Sequence, residues 1–207
     1  TVREIGDGVE GLKVGDRVVL VPNIPCGYCE SCRQGKANMC ENEKVMGVTC
    51  DGVFAKYFVA PEVALTKIPD DMDKDLAIFA EPVKCVMGAM DWVRVLPGET
   101  VLILGGGPIG LYFIMLMKAN GAGKIIVSEP SEYRAKYAMD CGADIIIDPT
   151  KQNLAEEIAK ITSGRGVDIS VDAVGVLIND AIVNTCKGGR IVLMGQNGAV
   201  NKTSSHN

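Results

Sequence analysis

VLILGGGPIG, Val101 to Gly110, decides the fold of the second half of this chain. Four apolar residues read as a buried strand, and the glycines at 105, 107 and 110 match G-x-G-x-x-G. The motif is weak alone, but here it follows a strand and opens a helix, the context in which it signals a dinucleotide. Gly105 permits a tight turn, Gly107 lets the backbone approach a pyrophosphate, and Gly110 lets the helix pack close to the strand. The helix N-terminus, with Pro108 and Ile109 in it, turns free N–H groups and a positive dipole end toward the phosphates. A glycine turn without a ligand is the competing reading. The wider run from Thr100 to Met117 carries no charge over 18 residues, but three glycines and a proline in its middle would break a spanning helix.

Downstream the pattern repeats. Strands are expected at 101–104, 124–128, 143–147, 167–171 and 190–194, with helices at 109–120, 131–140, 153–162 and 177–186 between them. Apolar strands alternating with helices predict a parallel, doubly wound α/β sheet. Glu129 ends the second of these strands, 19 residues after Gly110. An acid there binds the ribose 2′-hydroxyl of NAD and repels the extra phosphate of NADP, although a surface acid near a helix competes with that role. Asp172-Ala173-Val174-Gly175 end the fourth strand and Met194-Gly195 the fifth, so they face the crevice at the strand ends, where open α/β sheets bind ligands.

Upstream the chain is different. Asp16–Val21 and Gly52–Val59 read as strands, the second alternating Val53, Ala55, Tyr57, Val59 against Phe54, Lys56, Phe58. Short helices are expected near 73–79 and from Glu81-Pro82 to about Arg94. Between the two strands lies CGYCESCRQGKANMC, which puts Cys26, Cys29, Cys32 and Cys40 into fifteen residues of a chain with eight cysteines. The spacing C-x2-C-x2-C-x7-C suits zinc held by four thiolates. Such a closed shell leaves no open position, so the metal is structural. A buried or oxidised cluster is the alternative. Cys50, Cys85, Cys141 and Cys186 read as small buried hydrophobes.

A length of 207 residues with 47% hydrophobic content supports one or two domains. The net charge of −5 argues against nucleic acid and anionic membrane as partners. The tail NKTSSHN is polar and expected to fray.

With these features in hand, the chain resembles the zinc-dependent medium-chain alcohol dehydrogenase family over essentially its whole length. The resemblance rests on the four-cysteine lobe ahead of the glycine motif, GLKVGDRV at 11–18 and DGVFAKYFVAP at 51–61. It implies a partial GroES-like β-barrel domain with a zinc lobe at 26–40, and then a Rossmann domain with five of the usual six strands. It implies a boundary near residue 84, with the cofactor domain over 85–207. Arg134 matches a basic position that contacts the adenosine ribose, though a surface arginine is an equal alternative. In the family a second, catalytic zinc takes its ligands from an early Cys, a Gly-His-Glu segment and a later Cys or Glu. The early elements are not in this sequence, whose one histidine is His206, and Thr1–Val9 resembles the family's segment immediately after Gly-His-Glu. The resemblance therefore implies that the native N-terminus lies before Thr1. AEPVKC, Ala80 to Cys85, carries Glu81 where the sorbitol, butanediol and threonine dehydrogenase branch has its Glu-Pro. That makes Glu81 a candidate ligand or a partner of the metal-bound water, with Cys85 one turn on. A dipole-stabilising acid at a helix start is the alternative for Glu81.

The expectation is a fragment of a cytoplasmic, zinc-dependent oxidoreductase that moves a hydride between NAD and a polyol or secondary alcohol. The parent is expected to be a homo-oligomer and the fragment inactive on its own. The rival is a non-catalytic NAD-binding module with a structural zinc loop.

Overall fold

The computed structural model describes residues 1–195. The chain divides into two compact units, one over Thr1–Glu81 and one from Pro82 onward.

The first unit is built from short pieces: β1 (Val18–Leu20), β2 (Asn23–Ile24), α1 (Glu30–Arg33), β3 (Lys44–Val45), β4 (Leu65–Lys67) and α2 (Lys74–Ala77). β1 pairs antiparallel with β4, and β2 with β3. The buried carboxylate of Asp16, 2.9 Å from Lys67 Nζ, ties the start of β1 to β4. Asp73 caps α2 by accepting from the Asp75 N–H at 2.6 Å. The strand expected over 52–59 does not form. No strand among the described residues pairs with this segment, and Phe54 (110% exposed) and Val59 (93%) lie open to solvent. Alternation of side chains makes a strand only where a neighbour completes the hydrogen-bond ladder.

The second unit begins inside α3 (Ala80–Val93), at Pro82. It continues as β5 (Thr100–Leu104), α4 (Pro108–Ala119), β6 (Lys124–Ser128), α5 (Glu132–Asp140), β7 (Ile145–Ile147), α6 (Leu154–Thr162), β8 (Val167–Asp172), α7 (Ile178–Asn184) and β9 (Thr185–Leu193). The strands form one parallel sheet in the order β7-β6-β5-β8-β9, the doubly wound order with its switch between β5 and β8. Alternate residues of β5 go to opposite faces. Val101 and Ile103 join α3 and α4 through Val86, Phe113, Ile114 and Met117. Leu102 and Leu104 join α6 and α7 through Ile158 and Ala181. The uncharged run 100–117 is thus a strand, a turn and a helix, and no helix among the described residues is long and apolar enough to cross a membrane.

α7 ends earlier than its sequence pattern predicts. The Asn184 and Thr185 side chains donate to the carbonyls of Asp180 and Ala181, at 2.8 and 2.6 Å, and close the last turn. β9 therefore starts at Thr185 and passes a bulge opposite Val167–Ile169, with Gly188 at φ 79° taking the bend.

Candidate metal centre and dinucleotide cleft

The zinc lobe hangs from the β2–β3 pair. Gly27 and Gly35, at φ 79° and 77°, bend the chain back on either side of α1, which carries Cys32. A short 3-10 turn at 37–39 then delivers Cys40. The four sulfurs lie within 4.8 Å of one another, with Cys29 Sγ and Cys40 Sγ 3.9 Å apart. A tetrahedron with metal–sulfur bonds of about 2.3 Å has edges of about 3.8 Å, so the cluster fits a zinc ion with little contraction.

Backbone amides already point at these sulfurs. The Cys26 N–H donates to Cys40 Sγ at 3.2 Å, and the Cys29 N–H to Cys26 Sγ at 3.4 Å. Burial opposes ionisation of Cys26, but the N–H groups of Tyr28 and Cys29 outweigh it and bring the thiol down to about 6. The N–H groups of Cys32 and Glu41 lower Cys29. Burial and the neighbouring sulfurs push Cys32 up to about 12. Four thiolates this close need a cation among them, and a dication supplies the missing charge. No position is left for substrate or water, so a metal here holds the loop and does no chemistry.

This is the one group of three or more metal-donor side chains among the described residues. Glu81 is half-buried in the first turn of α3, and Cys85 is exposed one turn on. Among the described residues they join no group of three metal donors. His206 lies outside the described residues. Of the other cysteines expected to be buried, Cys50 and Cys85 are exposed, while Cys141 and Cys186 are partly buried.

In the second unit the glycine turn sits at the carboxyl end of β5. Gly105 has φ 101°, a conformation other residues avoid, and a Cβ there would lie 2.7 Å from Val174 Cγ2. At Gly107, the N-cap of α4, a Cβ would meet nothing within 4 Å, so this backbone faces open space. At Gly110 a Cβ would overlap the carbonyl oxygen of Gly105, so α4 seats on the turn only because this residue has no side chain. Pro108 occupies the first turn, where an N–H would lack a helical partner.

Glu129 follows β6 and is 3% exposed. Its Oε2 accepts from the Gly106 N–H at 2.7 Å and its Oε1 from the Ser131 N–H at 2.8 Å. Each oxygen keeps a lone pair for a further donor. Arg134 is exposed on α5, whose N-cap is Ser131. Val174 is 42% exposed, and Gly175 has φ 94°. A Cβ at Gly195 would overlap the backbone of Val174 and Gly175. The ends of β5, β8 and β9 are therefore in direct contact.

Sequence reasoning missed a groove of about 350 Å³ beside this turn, bounded by Leu104, Ser128, Pro149, Leu154, Leu177 and Val183. It lies at the carboxyl ends of β5 and β6, with Asn153, Asn179 and Asp180 also on its wall. Asp172, expected at the strand end facing the crevice, is there, but its carboxylate is buried and shapes the loop after β8.

Two family models match successive parts of the chain: an alcohol dehydrogenase GroES-like domain at residues 1–70 and a zinc-binding dehydrogenase at 108–206. The L-threonine 3-dehydrogenase of Pyrococcus horikoshii is 40% identical over 198 residues, which are 94% of this chain and 56% of that protein. The sorbitol dehydrogenase of Bacillus subtilis is 34% identical over 197 residues, 94% of this chain and 56% of that protein. A solved alcohol dehydrogenase from Escherichia coli CFT073, complexed with NADH, superposes with a TM-score of 0.86 at 32% identity, covering 94% of this chain and 58% of that one. The chain spans about half the length of the curated relatives it matches.

Proposed function

We propose that this chain, which belongs to the zinc-dependent medium-chain alcohol dehydrogenase family, serves an oxidoreductase that transfers a hydride between NAD and a polyol or secondary alcohol. The observation that carries the cofactor half of this reading is the carboxylate of Glu129 beside the glycine turn at the switch point of a doubly wound sheet. NAD, when bound, supplies the hydride acceptor. The chain's own residues bind and orient it. The open backbone at Gly107 and the N-terminus of α4 receive the pyrophosphate, and Glu129, with Arg134 near it, receives the adenosine ribose. Val174, Gly175 and Gly195 border the other mononucleotide. The four-cysteine centre keeps the loop of the first unit in place. The substrate class is taken from the threonine and sorbitol dehydrogenases, both named for molecules carrying a secondary alcohol. In keeping with the family, the working protein is a homo-oligomer of the cytoplasm.

Calorimetry on the purified chain tests the cofactor assignment. NAD is expected to bind more tightly than NADP. Equal or tighter binding of NADP, or no binding of either, overturns it.

One observation favours a second reading, a non-catalytic NAD-binding module. Among the described residues the donors for a second metal centre do not come together, and Glu81 belongs to no group of three. On that reading the chain binds NAD but does not turn over polyols or secondary alcohols with NAD and added zinc. Robust turnover by this polypeptide would eliminate it.

A further inference from the structure

We infer that Asp172, the last residue of β8, is a positioning residue that holds the nicotinamide half of the cofactor cleft in shape. The inference rests on the dinucleotide reading above. Asp172 is 1% exposed. Its Oδ1 accepts from the N–H groups of Val174 and Gly175 at 2.9 and 2.7 Å, and its Oδ2 from the N–H of Leu177 at 2.8 Å. One buried carboxylate thus fixes three amides of the loop between β8 and α7. Its main-chain carbonyl also accepts from Met194 and Gly195, at 3.0 and 2.9 Å, and so fastens the end of β9.

These two loops, with the glycine turn, form one layer. Val174 stands against Gly105, leaving no room for a Cβ there, and Gly195 packs on the backbone of Val174 and Gly175. Val174 keeps 42% of its surface open, so it is held in place on one side and bare on the other. The 2′-phosphate that distinguishes NADP from NAD is on the adenosine ribose. An acid that reads that position, Glu129, therefore assigns adenosine to the β5–β6–β7 half of the sheet. The β8–β9 half, which Asp172 organises, is left for the nicotinamide mononucleotide. Asp172 acts through the loop rather than by touching the cofactor, because its three accepted N–H groups and its burial turn it inward.

The test compares two ligands and one cofactor-independent measurement on the full chain. In Asp172→Asn one oxygen becomes an NH2 group, which sets a donor against at least one of the three amides. NAD affinity is expected to fall about tenfold, while 5′-AMP, which reports only the adenosine half, stays within about twofold. Amide hydrogen exchange is expected to quicken at Val174, Gly175 and Leu177. Asp172→Ser, which removes the carboxylate without setting an NH2 group against the amides, serves the same comparison if the Asn variant does not fold, with a comparable loss for NAD. Unchanged exchange at the three amides overturns the inference, as does an equal loss of AMP and NAD affinity, the mark of general structural damage. A wild-type chain that binds neither NAD nor AMP overturns the dinucleotide reading itself, a result distinct from both.

Discussion

Glu129 serves two purposes that compete. Its charge suits a ribose diol and repels a 2′-phosphate, yet both of its oxygens also hold backbone amides, at Gly106 and Ser131. Glu129→Gln removes the charge and turns an NH2 group toward one of those amides. Discrimination against NADP is expected to narrow, while NAD affinity falls about tenfold because the glycine turn loses an acceptor. Titration of both cofactors checks this, and NAD binding unchanged in the variant would show that the turn does not need Glu129. Asp168 is a residue of the opposite end of the sheet. It accepts from the Thr100 N–H at 2.9 Å and pairs with Arg165 through both oxygens, at 2.8 and 2.9 Å. The Arg165 guanidinium holds its carboxyl below the usual value of 3.8, against the cost of partial burial, and the Thr100 amide assists. A depressed carboxylate stabilises the fold above its unfolded pKa, and that share is lost as pH falls through the folded one. Arg165 is 57% exposed, so solvent screens the pair. Asp168→Asn is expected to cost about 1–2 kcal/mol at pH 7, mostly through the Thr100 amide. The difference from wild type should shrink below about pH 4. Urea melts at pH 7 and pH 3 measure both values.

At the scale of elements, α4 depends on Gly110. A Cβ there would overlap the Gly105 carbonyl, backbone that cannot swing aside, so Gly110→Ala must push the helix off β5. The expected cost is about 3 kcal/mol or more, with NAD binding lost, since the helix start also forms the phosphate site. A melting temperature within a degree or two of wild type would refute this. The five strands of the parallel sheet were legible because each is a continuous apolar run between turn signals, and burial on both faces demands such runs. The zinc lobe was legible because four thiolates at short spacing have few other uses. The segment 52–59 misled because its alternation states a preference for one buried face but cannot state whether a strand lies alongside. The end of α7 misled because Asn184 and Thr185 close it with side-chain bonds that no periodicity displays. Asp172 was legible as a strand-end residue facing the crevice, but its hold on the loop was invisible for the same reason. Its partners are amides two, three and five residues on, and an aspartate ending a strand reads as an ordinary turn former until those distances are known.

At the scale of the whole molecule, stability is distributed unevenly. Both hydrophobic clusters belong to the second unit. The first unit buries little beyond Cys29, Ala64, Ile68 and Ala77, and leaves Phe54, Tyr57, Phe58 and Val59 exposed. Its lobe therefore depends on the metal, whose binding energy becomes folding energy where a core is small. The second unit has its own core and gains from its cofactor by mass action, about 2.7 kcal/mol at a ligand concentration a hundred times Kd. The chain is therefore expected to unfold in two separable transitions. In scanning calorimetry on freshly purified protein, a chelator is expected to lower the transition of the first unit and leave the second in place. Saturating NAD should do the reverse, raising the second by about 10 °C and leaving the first. Acid acts as the chelator does, because zinc needs thiolates and protons compete for them. A single transition that moves with both zinc and NAD would show that the two units unfold as one.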